Sequence, residues 1–450
     1  MPVEICSVGG YNEVGKNCTA IKVDDEVILI DMGIHLESYI HYTQDEDVHD
    51  ITAKELMRVG AIPDISVIEK WRKQVKAIIP THAHLDHVGA IPYLGNKFDA
   101  PVLCTPYTAA VLKTILKDEK INIRNDIKVL SPNSIYTISK KIKIEFINMT
   151  HSTPQTVMVA VHTPQGVILY SNDFKFDSFP TLGKKPNFER LHELGKKRIL
   201  ALICDSTYAP VKAKTPSESV AKAMLKEVML GTESKGKVVA VTTFSSHLAR
   251  LKSIIEFGKA MNRKIIFLGR SLSKYVRAGE DINIIKFSKD VKILRFRSQV
   301  SGQLKKVQKN PGKYLLVMTG HQGEPKAVLS RIARGEFPFQ FQSEDQVIFS
   351  CKIIPTEVNR ENREKLENSL KSKGVRIFRD VHVSGHAARE DHRDLINIVK
   401  PRHIIPAHGE PEMKAALADL AYEMGYNEEN VHIQQNGEFL SLKTTKNINK

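Results

Sequence analysis

The sequence predicts an α/β protein of more than one domain, and three observations carry that prediction. The chain has 450 residues, more than a single compact core ordinarily serves. Its opening third alternates short strands with loops, whereas from about residue 199 near-continuous apolar runs alternate with helical segments. A hydrophobic fraction of 42% beside 26% charged residues is that of an ordinary folded chain and excludes a largely disordered one.

In the first third, Val27-Ile28-Leu29-Ile30-Asp31 is an apolar run ending in an acid. Val75-Lys76-Ala77-Ile78-Ile79-Pro80 runs directly into a histidine cluster. Residues 142–147 and 157–161 alternate at the strand period, 167–169 is a further short strand, and 107–116 has helical spacing. Later, the apolar runs at 199–203, 238–241, 264–268, 314–318 and 347–349 are separated by helical stretches such as 217–229 and 246–261. Strands of that texture are buried on both faces, which indicates a parallel α/β sheet. Residues 376–378 and 403–405 then lead to a closing helix at 412–424, and 443–450 reads as a loose tail. The polar segment 36–71, with Asp45-Glu46-Asp47 and the single tryptophan Trp71, is either a lid beside the site or a surface insertion.

The formal charge of +15 favours a polyanionic partner, since neutralising phosphates releases counterions; a generally Lys-rich proteome is the plainer alternative. No basic start followed by an apolar stretch marks a signal peptide, and no apolar run approaches the roughly 18–20 residues of a membrane span. The five cysteines (Cys6, Cys18, Cys104, Cys204, Cys351) are odd in number and scattered, which argues against a disulfide framework or a cysteine-based zinc knuckle. A cytoplasmic protein is expected.

The chemistry concentrates in Thr81-His82-Ala83-His84-Leu85-Asp86-His87. Extended alternation would send His82, His84 and Asp86 to one side, with a turn at Asp86-His87 reversing the chain. Imidazole and carboxylate so arranged serve two neighbouring metals, with zinc expected and manganese, iron or magnesium as alternatives. One stretch cannot complete two shells. His151, Asp173 and His408 each follow a short strand, where α/β sites collect their polar residues.

The order His-x-His-x-Asp-His, then His151, Asp173 and His408, resembles the metallo-β-lactamase superfamily. That resemblance implies an αββα sandwich with two metals. His82, His84 and His151 would hold one, and Asp86, His87 and His408 the other, with Asp173 bridging. A hydroxide shared by metals roughly 3.5–4 Å apart would be the nucleophile. The α/β unit inserted between Asp173 and His408 resembles that of the β-CASP nucleases, whose further motifs are matched by Asp205 and by His386. The domains expected are 1–207 and 375–450 for the sandwich and 208–374 for the insertion. Beside Asp86, the catalytic residues implied are Asp205, orienting a ligand histidine, and His386, contacting the scissile phosphate and protonating the leaving oxygen.

The opening Gly9-Gly10-Tyr11-Asn12-Glu13-Val14-Gly15-Lys16-Asn17, the run Thr319-Gly320-His321-Gln322-Gly323-Glu324-Pro325 and the run His382-Val383-Ser384-Gly385-His386-Ala387 resemble the ribonuclease J family over nearly the whole chain. Bacterial members carry a further C-terminal domain after the His-Gly-Glu motif, so the likeness is to the shorter archaeal form. It implies a processive 5′→3′ exoribonuclease acting on single-stranded RNA with a 5′-monophosphate, in a homodimer. A terminal phosphate needs convergent N–H groups and hydroxyls. Candidates are His382, Val383, Ser384, Gly385 and His386; Gly320, Gln322, Gly323 and Glu324; Ser245, Ser246 and His247; and Arg270. For each stretch other than Ser384-Gly385-His386 an ordinary strand-to-helix turn is an equal alternative. Three rivals remain: a β-CASP endonuclease, a small-molecule thioester or lactam hydrolase, and a silent RNA-binding scaffold. The long basic insertion argues against the second and the complete ligand set against the third.

Overall fold

A computed structural model describes residues 2–43, 51–354 and 356–442, so the acidic run at 45–47 and the tail at 443–450 lie outside the described residues. The chain divides into two compact units. Met1–Ser178, Lys184–Thr215 and Gly385–Lys450 form the first, and Phe179–Gly183 with Pro216–Ser384 the second.

The first unit is built on two sheets. A seven-stranded sheet runs in the order Phe439–Leu442, Val3–Gly9, Cys18–Val23, Glu26–Ile30, Val75–Ile79, Val102–Cys104, Ile127–Val129. A six-stranded sheet runs His403–Ala407, Ile199–Asp205, Gly166–Asn172, Val157–Thr163, Lys143–Asn148, Ile135–Thr137. Ile5, Ile21, Ile28 and Ile79 from one meet Phe146, Val159, Ile168 and Ile203 from the other in a single buried core. The second sheet also buries its outer face. Met158, Leu169, Leu202 and Ile404 pack there with Leu191, Leu395 and Leu417 from the helices Phe188–Gly195, Arg389–Val399 and Pro411–Glu423. Sheets apolar on both sides must be covered on both sides, and the αββα sandwich follows.

The helix Pro106–Glu119 shows the local logic. Pro106 takes the first helical position after Thr105, and Tyr107, Val111, Leu112 and Ile115 form one buried stripe before Lys120 turns left-handed at φ 55°. Trp71 is 7% exposed and meets the Phe439 ring edge-on at 5.0 Å, so this end of the 36–71 segment packs on the rim of the seven-stranded sheet.

The second unit is one six-stranded parallel sheet, ordered Val291–Leu294, Lys264–Leu268, Tyr314–Met318, Val239–Thr242, Gln346–Phe349, Arg376–Phe378. The neighbours Val239–Thr242 and Gln346–Phe349 send their outgoing connections in opposite directions, which makes their carboxyl ends the switch point of the sheet, the place where folds of this class bind ligands. The strand Val291–Leu294, absent from the expectation, is a half-exposed edge strand whose apolar run is broken by Lys292.

Candidate metal centre

The strand Val75–Ile79 delivers Thr81 and His82 to the end of the sandwich. Both the Thr81 amide and its hydroxyl donate to Asp31 Oδ1, at 2.8 and 2.9 Å. Asp31 leaves the strand Glu26–Ile30 with φ 60°, a left-handed conformation uncommon outside glycine and often found at functional sites. Extended backbone ends at His84, which precedes a single helical turn at Leu85–Val88. Asp86 and His87 therefore sit on a helical turn, and the expected alternation through Asp86 does not hold. The turn is braced by Gly33, where a Cβ would stand 1.6 Å from Asp86 O, and by bonds from Met32 N to His87 O (2.8 Å) and from Ile34 N to Leu85 O (3.0 Å).

Asp173 lies at the centre of the cluster. Its Oδ2 is 3.6 Å from His82 Nε2, 3.4 Å from His87 Nε2 and 3.4 Å from His151 Nε2, and its Oδ1 is 3.3 Å from His408 Nε2. Two sets of donor atoms lie close enough to share an ion: His82, His84, His151 and Asp173 in one, Asp86, His87, Asp173 and His408 in the other. All seven residues singled out as ligands in the sequence are thus gathered in one place, with Asp173 common to both sets. A third grouping joins Asp173 and His408 to Asp205 and His386.

Contacts behind the cluster orient its rings. His87 Nδ1 donates to Asp31 Oδ2 at 2.7 Å and His151 Nδ1 donates to Gly385 O at 2.7 Å, which turns both Nε2 atoms inward. The Asn17 amide nitrogen stands 3.1 Å from His87 Nε2 and donates to Asp86 O at 3.0 Å. Gly385 approaches so closely that a Cβ there would lie 2.0 Å from Ser152 Oγ. His408 has φ 51°, and its amide donates to Gly10 O at 2.7 Å.

The donors fit a cation. Among the described residues, His82 Nε2, His408 Nε2 and Asp173 Oδ1 are buried without a hydrogen bond, the 3.3 Å approach of the last two lacking the geometry of one. Leaving such atoms unpaired costs about 1–3 kcal/mol each, so a bound ion is the economical account. His84 Nδ1 and His151 Nε2 face each other at 3.1 Å, an approach that a shared proton or a shared cation makes favourable. Burial holds His84 neutral, down to about 4, and pushes His82 and His151 well below the usual range. On His87 burial acts the same way, but Asp173, Asp31 and Asp86 outweigh it and raise its pKa.

Asp205 ends the strand Ile199–Asp205, in register with Ala407 of the strand leading to His408. Its carboxylate takes the Thr207 amide at 2.8 Å and His386 Nδ1 at 3.0 Å, so the ring it orients is that of His386 rather than one of the seven cluster residues. The His386 backbone carbonyl accepts the Thr215 hydroxyl at 2.7 Å. Burial lowers the pKa of His386, but Asp173 and Asp205 overcome it and bring the value up to about 9. His386 is half-buried beside the metal ligands, with its Nδ1 edge held by Asp205.

The other candidates belong to the second unit, at the carboxyl edge of its sheet. Ser245, Ser246 and His247 follow Val239–Thr242, Arg270 opens the helix after Lys264–Leu268, Gly320 to Glu324 follow Tyr314–Met318, and His382, Val383 and Ser384 follow Arg376–Phe378. Gln322 spends its amide on Lys352 O (3.0 Å) and Ile354 N (2.9 Å), and a Cβ on Gly323 would lie 2.3 Å from Asn362 O. That loop is held by packing. Asp31, Asn17 and Gly33 were not singled out in the sequence; the signal for Asp31 was an acid closing an apolar strand.

Comparisons with known proteins agree with this geometry. A family model described as the metallo-beta-lactamase superfamily matches residues 11–202, one for the ribonuclease J beta-CASP domain matches 235–369, and one for a Zn-dependent metallo-hydrolase RNA specificity domain matches 375–434. A protein named Ribonuclease J from Methanocaldococcus jannaschii is 42% identical over 446 residues, covering 98% of this chain and 99% of that relative. Another so named, from Pyrococcus abyssi, is 42% identical over 445 residues, covering 98% and 97%. A solved structure of a protein of unknown function from Enterococcus faecalis aligns with TM-score 0.66 over 98% of this chain and 100% of that one; at 16% identity it speaks to the fold alone. Identity of this level along almost the entire length places the chain in the ribonuclease J family, among the β-CASP nucleases of the metallo-β-lactamase superfamily.

Proposed function

We propose that this protein is a zinc-dependent 5′→3′ exoribonuclease that removes nucleotides from single-stranded RNA and prefers a 5′-monophosphate end. The observation that carries the two-ion reading is Asp173, whose carboxylate belongs to both donor sets and leaves Oδ1 buried without a hydrogen bond. His82, His84 and His151 would complete one set and Asp86, His87 and His408 the other. A divalent pair held there would supply a water activated at neutral pH and would neutralise charge on the phosphoryl oxygens.

The chain's own groups perform the rest. With His386 Nδ1 held by Asp205, Nε2 is the atom that passes a proton to the leaving 3′ oxygen. Protonated, His386 would also offset the charge that accumulates on the phosphate in the transition state. Asp31 and Gly385 hold His87 and His151 in the tautomers that present Nε2. The net charge of +15 suits a polyanionic substrate. Support for a 5′-end pocket comes from the Ser245, Ser246 and Ser384 hydroxyl-bearing turns at the carboxyl edge of the parallel sheet, where such folds bind ligands.

The test uses one RNA labelled at either end, carrying a 5′-monophosphate, triphosphate or hydroxyl, with and without chelator. Mononucleotides released from the 5′ label, fastest for the monophosphate and abolished by chelator, are expected. Internal fragments appearing first would replace this reading with the endonuclease.

A further inference from the structure

We infer that Arg250 is the positioning residue that sets the stretch 382–384 for the 5′ end of RNA; the inference rests on the reading above that this stretch receives that end. Arg250 lies on the helix Leu248–Ala260, just beyond the loop that leaves the strand Val239–Thr242. It is 0% exposed and heads the fully buried side chains by volume. Nothing in the sequence motifs distinguished it.

Its guanidinium is used on every side. Nε and Nη2 grip Glu218 Oε1 and Oε2 at 2.6 and 2.9 Å, a two-pronged carboxylate contact. Nη1 donates to Ser350 O at 3.0 Å and Ser350 Oγ at 2.7 Å, and reaches Val381 O at 3.3 Å and His382 Nδ1 at 3.4 Å. Ser350 Oγ in turn donates to Val381 O at 2.8 Å, and Thr243 Oγ1 donates to Ser350 O at 2.9 Å. His247 Nε2 completes the ring of contacts, 3.4 Å from Glu218 Oε2. One buried cation therefore joins Ser350, which follows the strand Gln346–Phe349 and also takes the Thr243 hydroxyl, to Val381 and to His382 at the start of the substrate stretch.

The chemistry of arginine makes this more than packing. A guanidinium never loses its proton and never accepts, so His382 Nδ1 must be the acceptor in their contact. That leaves the hydrogen of a neutral His382 on Nε2. Burying an ion pair is a poor route to stability, because apolar side chains of equal volume serve at least as well. A network of this kind does hold one arrangement of the segments it joins. His386 is held separately, by Asp205 and by Thr215, within the first unit. Loss of Arg250 should consequently affect recognition of the RNA end more than the rate of bond cleavage.

The experiment measures kcat and KM of the full-length, metal-loaded protein and of R250M, R250K and S350A, using one RNA sequence with a 5′-monophosphate or a 5′-hydroxyl. Thermal melts show which variants are folded. In R250M, KM for the monophosphate RNA should rise about tenfold with kcat within about threefold, so that the preference over the hydroxyl RNA collapses. R250K keeps the charge without the planar fork and should recover part of the preference. A folded R250M with wild-type KM and preference overturns the inference, as does an equal fall of kcat on both RNAs. Should R250M not fold, S350A decides by a smaller rise of KM in the same direction, since it removes the Ser350 Oγ contacts with Arg250 and Val381 while the direct contacts of Arg250 remain, and a folded S350A with wild-type KM and preference overturns the inference. A wild-type protein indifferent to the 5′ group would instead sink the 5′-end reading itself, a distinct result.

Discussion

Asp31 Oδ2 accepts the Nδ1 hydrogen of His87 at 2.7 Å, while Asp31 Oδ1 accepts both the amide and the hydroxyl of Thr81. One carboxylate thus sets the tautomer of a cluster histidine and the position of the segment that carries His82. Removing it in Asp31→Ala frees the His87 ring, and metal affinity should fall roughly 10- to 100-fold. Metal content by elemental analysis after dialysis against a weak chelator gives the readout. Full retention of metal in a folded Asp31→Ala protein would count against the assignment.

His82→Ala and Asp86→Ala each strip a donor from one of the two sets. Cleavage of end-labelled RNA should drop on the order of a thousandfold, since a metal supplies several kcal/mol of transition-state stabilisation. Filter binding at fixed salt should change little, because the surplus of basic residues is untouched. Normal turnover in either variant would refute the cluster as the catalytic centre.

Gly385→Ala probes the closeness of the segment that holds His151. The added methyl would stand 2.0 Å from Ser152 Oγ and 3.0 Å from His151 Cε1, so the backbone carbonyl that orients His151 must move. Activity and metal content should both fall. Adding Ser152→Gly removes the nearer obstacle and should restore part of each, a coupling that a double-mutant cycle measures. Two independent, additive losses would show that the clash is not the cause.

His403 and His432 give a pH dependence away from the cluster. His403 Nδ1 and His432 Nε2 lie 3.0 Å apart; burial first, then His432 and Arg402, bring His403 down to about 4, and burial lowers His432 as well. The unfolded chain takes up protons as pH falls through about 6.5 while folded His403 resists until about 4. Its contribution to stability is therefore fully present above 6.5 and is lost on the way down to 4. Melting temperatures between these pH values should fall for wild type and fall less for His403→Gln. Parallel curves would show that another group governs the change.

The structure separates two kinds of legibility. Strands buried on both faces, such as 199–203 and 314–318, and the helix over Tyr107, Val111, Leu112 and Ile115 were readable because burial imposes a period or a continuous apolar run on the residues themselves. Edge strands such as Ile135–Thr137 and Val291–Leu294 were not, because they are short and partly exposed, so no long apolar run marks them and the pairing partner makes them strands.

The same division runs through the site. The spacing of His82, His84, Asp86 and His87, with His151, Asp173 and His408 at strand ends, could be read in the sequence because metal coordination restricts the donor types and each strand end places one. Tertiary structure alone decided the rest: that Leu85–Val88 is a helical turn, that Asp205 turns to His386, that Asp31 reaches His87 across 56 positions of chain, and that Arg250 reaches His382 across 132. The last three are hydrogen bonds between segments remote in sequence, and their direction depends on backbone placement that no local pattern of residues encodes.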